Sequence, residues 1–193
     1  MRNLEQELKM MLDERSYNLL LSTTQQKPQL QTNFYFCGKQ FNKDVMVRVR
    51  QKGETYVLCA KKRYNSHNGV FLCDEREVEL TKDYAISLCA RGISPQEFAT
   101  LLNLDFAEHF HFVGQLQTYR TKFDFLEWTL EVDKNFFLDT IDYELECECN
   151  DVQKLEKLKA QLAYQFGIPF VASVAKSQRF HDRLEVLKAQ SNN

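Results

Sequence analysis

The chain has 193 residues, 44% of them hydrophobic and 27% charged, with a formal net charge of -2. These values exclude a disordered chain and a chain too short for a full core. They also give no support to nucleic-acid binding through a general basic surface.

Leu4 to Met10 reads as a short strand, and about Asp13 to Ser22 as a helix with Tyr17, Leu20 and Leu21 at helical spacing. Thr32 to Cys37 is an aromatic-rich strand. Val45 to Arg50 and Thr55 to Lys62 form a hairpin turning at Lys52-Gly53, and Val70 to Leu80 is another strand. Ser94-Pro95-Gln96-Glu97 starts a helix, with Ser as N-cap, Pro at the first position and Glu three residues after the cap. Val113 to Phe123 and Phe125 to Asp133 form a second hairpin, and Ile141 to Cys149 is the last strand. Helices follow over about Val152 to Phe166, stopped by Gly167 and Pro169, and over about Ser173 to Ala189. The expected fold is α+β and mainly β: a single domain over residues 1–193, an eight-stranded antiparallel sheet closed into a barrel, with helices packed outside.

No apolar run of membrane-spanning length occurs, and the first residues are charged rather than apolar, so a cytoplasmic protein without membrane contact is expected. Cys37, Cys59, Cys73, Cys89, Cys147 and Cys149 contain no C-x-x-C pair and are expected as free thiols. His109-x-His111 is expected as an exposed pair and Cys147-x-Cys149 as buried thiols rather than metal sites.

Strand side chains alternate between two faces, so parity sorts them. Asp142, Glu144, Glu146 and Glu148 share one face of the last strand, opposite Ile141, Tyr143, Leu145, Cys147 and Cys149. Glu127, Thr129, Glu131 and Asp133 oppose Leu126, Trp128, Leu130 and Val132. Glu5, Glu7 and Lys9 line up, as do Arg48 and Arg50, Glu75, Glu77 and Glu79, and Thr118, Arg120 and Lys122. A sheet with one face in water shows the same alternation. Rows of one sign distinguish this chain: inside a barrel, repeated carboxylates are tolerated only with cations among them. Oxygen-only ligands suit Mg²⁺ or Mn²⁺, and arginine and lysine rows suit a phosphate chain.

Glu5-Gln6-Glu7-Leu8-Lys9 forms a Glu-x-Glu-x-Lys signature near the N-terminus. Behind it come Asn33-Phe34-Tyr35-Phe36, Arg48-x-Arg50, Lys61, Thr118-x-Arg120, Glu131-Val132-Asp133 and Asp142-Tyr143-Glu144-Leu145-Glu146. In this order the chain resembles the CYTH superfamily, the triphosphate tunnel metalloenzymes, and within it the uncharacterised branch found in bacilli. The resemblance implies an eight-stranded antiparallel tunnel and a metal-dependent hydrolysis of inorganic triphosphate. Thiamine triphosphate hydrolysis, cyclisation of ATP and non-catalytic binding of nucleotide or polyphosphate are the alternatives.

By the same resemblance Glu5 and Glu7 are metal-binding acids, with Glu144 and Glu146 as a second pair and Glu75 or Glu77 as a middle-strand acid. Lys9, Arg48, Arg50, Lys61 and Arg120 hold phosphate, with Lys122 and Lys176 as further contacts. Lys9 also stabilises charge on the transferred group and Glu146 orients the attacking water. The implied cofactor is Mg²⁺ or Mn²⁺ and the implied partner a small-molecule triphosphate, bound by a monomer or homodimer. The chain departs from the family at Cys37-Gly38, where Asp-Thr is common, and at Leu58-Cys59-Ala60-Lys61, where Leu-Thr-Leu-Lys is usual.

Overall fold

The computed structural model describes residues 7–40, 42, 44–64, 72–149 and 151–191; of Glu7, Arg63, Tyr64, Leu72, Cys73, Asp74 and Val152 it describes the backbone only. The strands are β1 (Glu7–Leu12), β2 (Gln29–Cys37), β3 (Val45–Lys52), β4 (Thr55–Tyr64), β5 (Leu72–Leu80), β6 (His111–Phe125), β7 (Trp128–Phe137) and β8 (Thr140–Glu148). The helices are α1 (Glu14–Leu21), α2 (Lys82–Arg91), α3 (Pro95–Glu97, continued by a wider turn over Phe98–Leu102), α4 (Val152–Phe166) and α5 (Lys176–Ser191). The eight strands form one sheet in the order β1-β8-β7-β6-β2-β3-β4-β5. The expected eight-stranded antiparallel sheet with helices is what the chain forms. Among the described residues its hydrogen-bonded order ends at β1 and β5, so strand pairing does not close the sheet.

Several boundaries move from their expected places, each for a local reason. Asp13 caps α1 from outside, its carboxylate accepting from Ser16 N at 2.7 Å. Leu126, expected in a strand, is a turn residue with φ 55° and is 64% exposed. It therefore leaves the apolar row, which begins at Trp128. Helix α2 was not expected. Thr81 caps it by accepting from Tyr84 N, and Gly92 ends it at φ 83°.

The chain divides into two compact units. One takes Gln31–Leu116 together with the segment from Lys176 onward; the other takes Gln117–Ala175 together with the stretch up to Leu30. Each has its own core. In the first, Val47, Val49, Leu58 and Ala60 of β3 and β4 pack with Ala85 and Leu88 of α2 and Phe98 beyond α3. In the second, Leu8, Met10, Leu130, Val132, Leu145 and Cys147 pack with Tyr17 and Leu20 of α1 and Leu155, Leu158 and Leu162 of α4. These are the apolar parities of the strands, so α1, α2 and α4 cover the face opposite the charged rows, whereas Phe180 of α5 packs on Tyr35, the register partner of Arg48. The outer edge of β1 is also covered: Met11 N donates to Val171 O at 2.8 Å and Ser173 N to Lys9 O at 3.3 Å. An edge strand left bare would invite pairing with another chain.

Candidate active site: an acidic cluster and a row of bases

In the second unit the register aligns the charged parity across three strands. Glu146 of β8 stands opposite Lys9 of β1 and Glu131 of β7, and Glu144 stands opposite Met11 and Asp133. Paired residues of an antiparallel ladder project to the same side. These side chains are not a solvated face. Asp133 and Glu144 are fully buried, Glu146 is 9% exposed, and Thr118 and Asn135 are buried beside them. The alternative of a sheet face in water therefore fails for β7 and β8.

Arg120 of β6 organises the cluster. Its Nε and Nη2 donate to the two oxygens of Asp133 at 2.8 and 2.7 Å, Nη2 also donates to Glu146 at 2.5 Å, and Nη1 donates to Glu131. Burial works against the charge of the guanidinium, but Asp133, Glu146 and Glu131 outweigh it and hold Arg120 above the ordinary arginine range. Lys9 Nζ donates to Glu146 at 3.0 Å and Lys122 Nζ to Glu131 at 2.9 Å. The bond to Glu131 raises the Lys122 pKa. A neutral relay, Thr118 to Asn135 at 2.7 Å and Asn135 to Asp142 at 2.9 Å, continues the row.

Asp133, Glu144 and Glu146 each offer an oxygen, and these atoms lie within 4.8 Å of one another. Three hard anionic oxygens on rigid strands fit a small divalent cation such as Mg²⁺ or Mn²⁺ and do not favour a thiophilic metal. Of the expected acids, Glu144 and Glu146 fall in this group. Glu5 lies outside the described residues, and Glu7 is described only as backbone, opposite Glu148. Asp133 was read as part of the charged row but not as a ligand. Only its register opposite Glu144 places it where it could offer an oxygen beside Glu144 and Glu146.

In the first unit the bases lie on β3 and β4. Tyr35 stands opposite Arg48, Asn33 opposite Arg50, and Cys59 lies between Arg48 and Glu77 in the register. Lys61 Nζ is 3.2 Å from Glu75, its register partner, and Arg50 is 3.9 Å from Glu77. Burial alone would raise the Glu75 pKa, but Lys61 outweighs it and the net shift is downward. Tyr35 is fully buried, and burial raises its phenol pKa despite the opposing charges of Arg48, Lys176 and Arg179. Lys176, at the start of α5, thus acts on the same residue as Arg48. Arg179 was not anticipated.

Glu75 and Glu77 also lie within ligand distance of Cys59. Burial pushes the Cys59 thiol strongly upward, and the thiol donates to Glu75 at 3.3 Å. Glu75 and Glu77, the expected middle-strand acids, thus each stand beside a base and could each also offer an oxygen to a metal ion.

The remaining sequence features are structural. The rings of His109 and His111 lie 4.7 Å apart at a tilt of 43°, and His109 Nε2 lies 2.8 Å from the Arg91 carbonyl oxygen. Cys147 is buried and its thiol is pushed up to about 11 by burial first and the neighbouring Cys149 second. Cys37, Cys59, Cys89, Cys147 and Cys149 are all free thiols. Among the described residues no helix is long and apolar enough to cross a membrane.

The CYTH domain family matches residues 3–181 of the chain. A candidate adenylate cyclase from Bacillus halodurans is similar in structure, with a TM-score of 0.74 at 21% identity over 93% of this chain and 98% of that one. A candidate adenylyl cyclase from Hippeastrum, described as having a dominant triphosphatase activity, reaches a TM-score of 0.71 at 23% identity over 92% and 95%. The PH1819 protein of Pyrococcus horikoshii reaches 0.59 at 14% identity over 93% and 99%. At these identities the likeness speaks for the fold. No protein with a curated function matches the chain.

Proposed function

This chain belongs to the CYTH domain family, and on that premise we propose that it is a divalent-metal-dependent hydrolase of triphosphates, with inorganic triphosphate as its substrate. The carrying observation is the buried group of Asp133, Glu144 and Glu146 around Arg120. Carboxylates withdrawn from water at this density call for a cation. The dominant triphosphatase activity described for the Hippeastrum protein agrees with this reading.

In the proposed site Asp133, Glu144 and Glu146 hold Mg²⁺ or Mn²⁺, joined by Glu5 and Glu7. The ion supplies neutralisation and polarisation of phosphate oxygens when bound. Arg48, Arg50 and Lys61 bind the phosphate chain, with Lys122 and Lys176 as further contacts. Phosphoryl transfer depends on positioning and charge stabilisation more than on a covalent nucleophile. Lys9 stabilises charge on the terminal phosphoryl group, and Glu146 accepts a hydrogen bond from the attacking water. Arg120 aligns Glu146 and Asp133 through its fork of donors. The partner is a free small molecule in the cytoplasm.

The test is phosphate release from inorganic triphosphate with Mg²⁺ or Mn²⁺, beside ATP and thiamine triphosphate. Faster release from inorganic triphosphate is expected, abolished by chelation. Preferential release from thiamine triphosphate, formation of cyclic AMP, or binding without release would each replace this reading with another.

A further inference from the structure

The arginine-bearing row of the first unit contains a residue of the Asn33-Phe34-Tyr35-Phe36 stretch to which neither the family resemblance nor the ion pairs give a role. Asn33 of β2 is 4% exposed, and its Oδ1 is buried with no hydrogen-bond partner among the described residues. An unpaired buried amide oxygen costs stability, so natural folds rarely keep one without a use. Its register partner is Arg50, and one pair along the same ladder is Tyr35 with Arg48. Asn33 therefore projects to the side of the sheet that carries both guanidinium groups. Arg48 shows the complementary defect, since its Nε is also buried without a partner. An amide oxygen and a guanidinium Nε–H, each without a partner among the described residues, thus occupy neighbouring positions on one face.

Among the described residues Thr121 Oγ1 and Trp128 Nε1 are also buried without partners. Trp128 belongs to the second unit's apolar core, and Thr121 shares the parity of Phe123 in that core. Both lie on the parity opposite the charged row of their strands, Arg120 and Lys122 in β6 and Glu131 and Asp133 in β7. Asn33 lies on the parity of Arg48 and Arg50, and an amide presents either a donor or an acceptor after a half-turn of its end group.

We propose that Asn33 is a further ligand-contacting residue, its amide hydrogen-bonding a phosphate group held by Arg48 and Arg50. This rests on the triphosphate reading above. After that half-turn Nδ2–H donates to a phosphate oxygen held by the two guanidinium groups. A neutral amide adds directional contact without more positive charge. It thereby favours a phosphate in one orientation over a merely anionic ligand.

Asn33→Leu separates this role from a structural one. The leucine removes the unpaired polar atom while keeping similar bulk. The expected result is a ligand-free melting temperature equal to or above that of the parent protein. Affinity for inorganic triphosphate with Mg²⁺, measured by calorimetry, should be weaker by roughly tenfold or more, as for hydrogen bonds to charged groups. Unchanged affinity overturns the inference, whatever the melting temperature. Should the leucine protein fail to fold, Asn33→Thr, too short to reach and suited to a strand, is read by the same affinity criterion. Failure of the parent protein to bind triphosphate would sink the function reading itself. Binding by the parent with no effect of the substitution sinks only the role of Asn33.

Discussion

Asp133 and Glu144 are register partners in neighbouring antiparallel strands, and both are fully withdrawn from solvent. Like charges directly opposite each other destabilise a ladder. Asp133 has the Arg120 fork as a counterweight, whereas Glu144 accepts from Ser173 Oγ at 3.4 Å. Glu144→Gln keeps the shape and removes one charge from the pair. The metal-free protein should gain about 1 kcal/mol in denaturant unfolding. Its affinity for Mn²⁺ should fall by at least about tenfold, because one anionic oxygen of the proposed ligand set is gone. A destabilised variant that binds Mn²⁺ normally would count against the cluster as a metal centre.

Arg120 makes the converse case. Its guanidinium bonds Glu131, Asp133 and Glu146 together. Arg120→Met leaves these carboxylates without their main cation, and breaking a buried pair in this way costs about 3–5 kcal/mol. Added Mn²⁺ should recover part of the loss, so the metal-induced rise in melting temperature is larger in the variant than in the parent. Arg120→Lys retains a point charge but not the two-pronged contact to Asp133, and should fall between the two. Equal metal-induced shifts in all three proteins would remove the electrostatic link between Arg120 and the ion.

His181 of α5 sets an acid limit on stability. It is 5% exposed, and burial, reinforced by Lys188, lowers its pKa to about 4 against the opposing charges of Glu185 and Asp182. The folded state thus resists a proton that the unfolded chain accepts near pH 6.5. The stabilisation is complete above that value and declines as pH falls toward the folded pKa. Near pH 5 the loss relative to neutral pH is about 2 kcal/mol. His181→Gln should flatten this part of the urea-stability profile. An unaltered slope would assign the acid sensitivity elsewhere.

The charged rows were legible because parity needs only a strand and a count of two. That reasoning put Glu144, Glu146 and Arg120 on their correct faces without any knowledge of their neighbours. Register was not legible. The turns before β7 and β8 contain Leu126 and Leu138, which adopt φ 55° and 52°, a region usually left to glycine or asparagine. Without a turn signal, nothing in the sequence aligns Asp133 with Glu144 or brings Arg120 to three acids. Helix α2 escaped because Ala85 and Leu88 are the residues it buries, too thin a stripe to stand out. Asn33 escaped for another reason: an unpaired atom is a property of packing.

Gly114 tests whether the packing of α5 governs the arginine-bearing face of the first unit. It sits in β6 at φ +139°, and a Cβ there would come within 2.8 Å of Phe180 Cζ. Phe180 is fully buried and its ring centroid lies 5.2 Å from that of Tyr35. Tyr35 in turn is the register partner of Arg48. Gly114→Ala must therefore displace the Phe180 ring or bend the strand, at a cost of about 2–3 kcal/mol for overpacking at a strained dihedral. If Phe180 moves, Tyr35 loses its support and Arg48 its alignment, so triphosphate affinity should fall together with stability. Phe180→Leu in the Gly114→Ala background makes room for the new methyl group and should restore part of the stability. It should restore affinity only partly, since leucine does not replace the ring against Tyr35. A Gly114→Ala protein that is destabilised yet binds triphosphate as tightly as the parent would show that the Phe180–Tyr35 contact supports the fold without setting the position of Arg48.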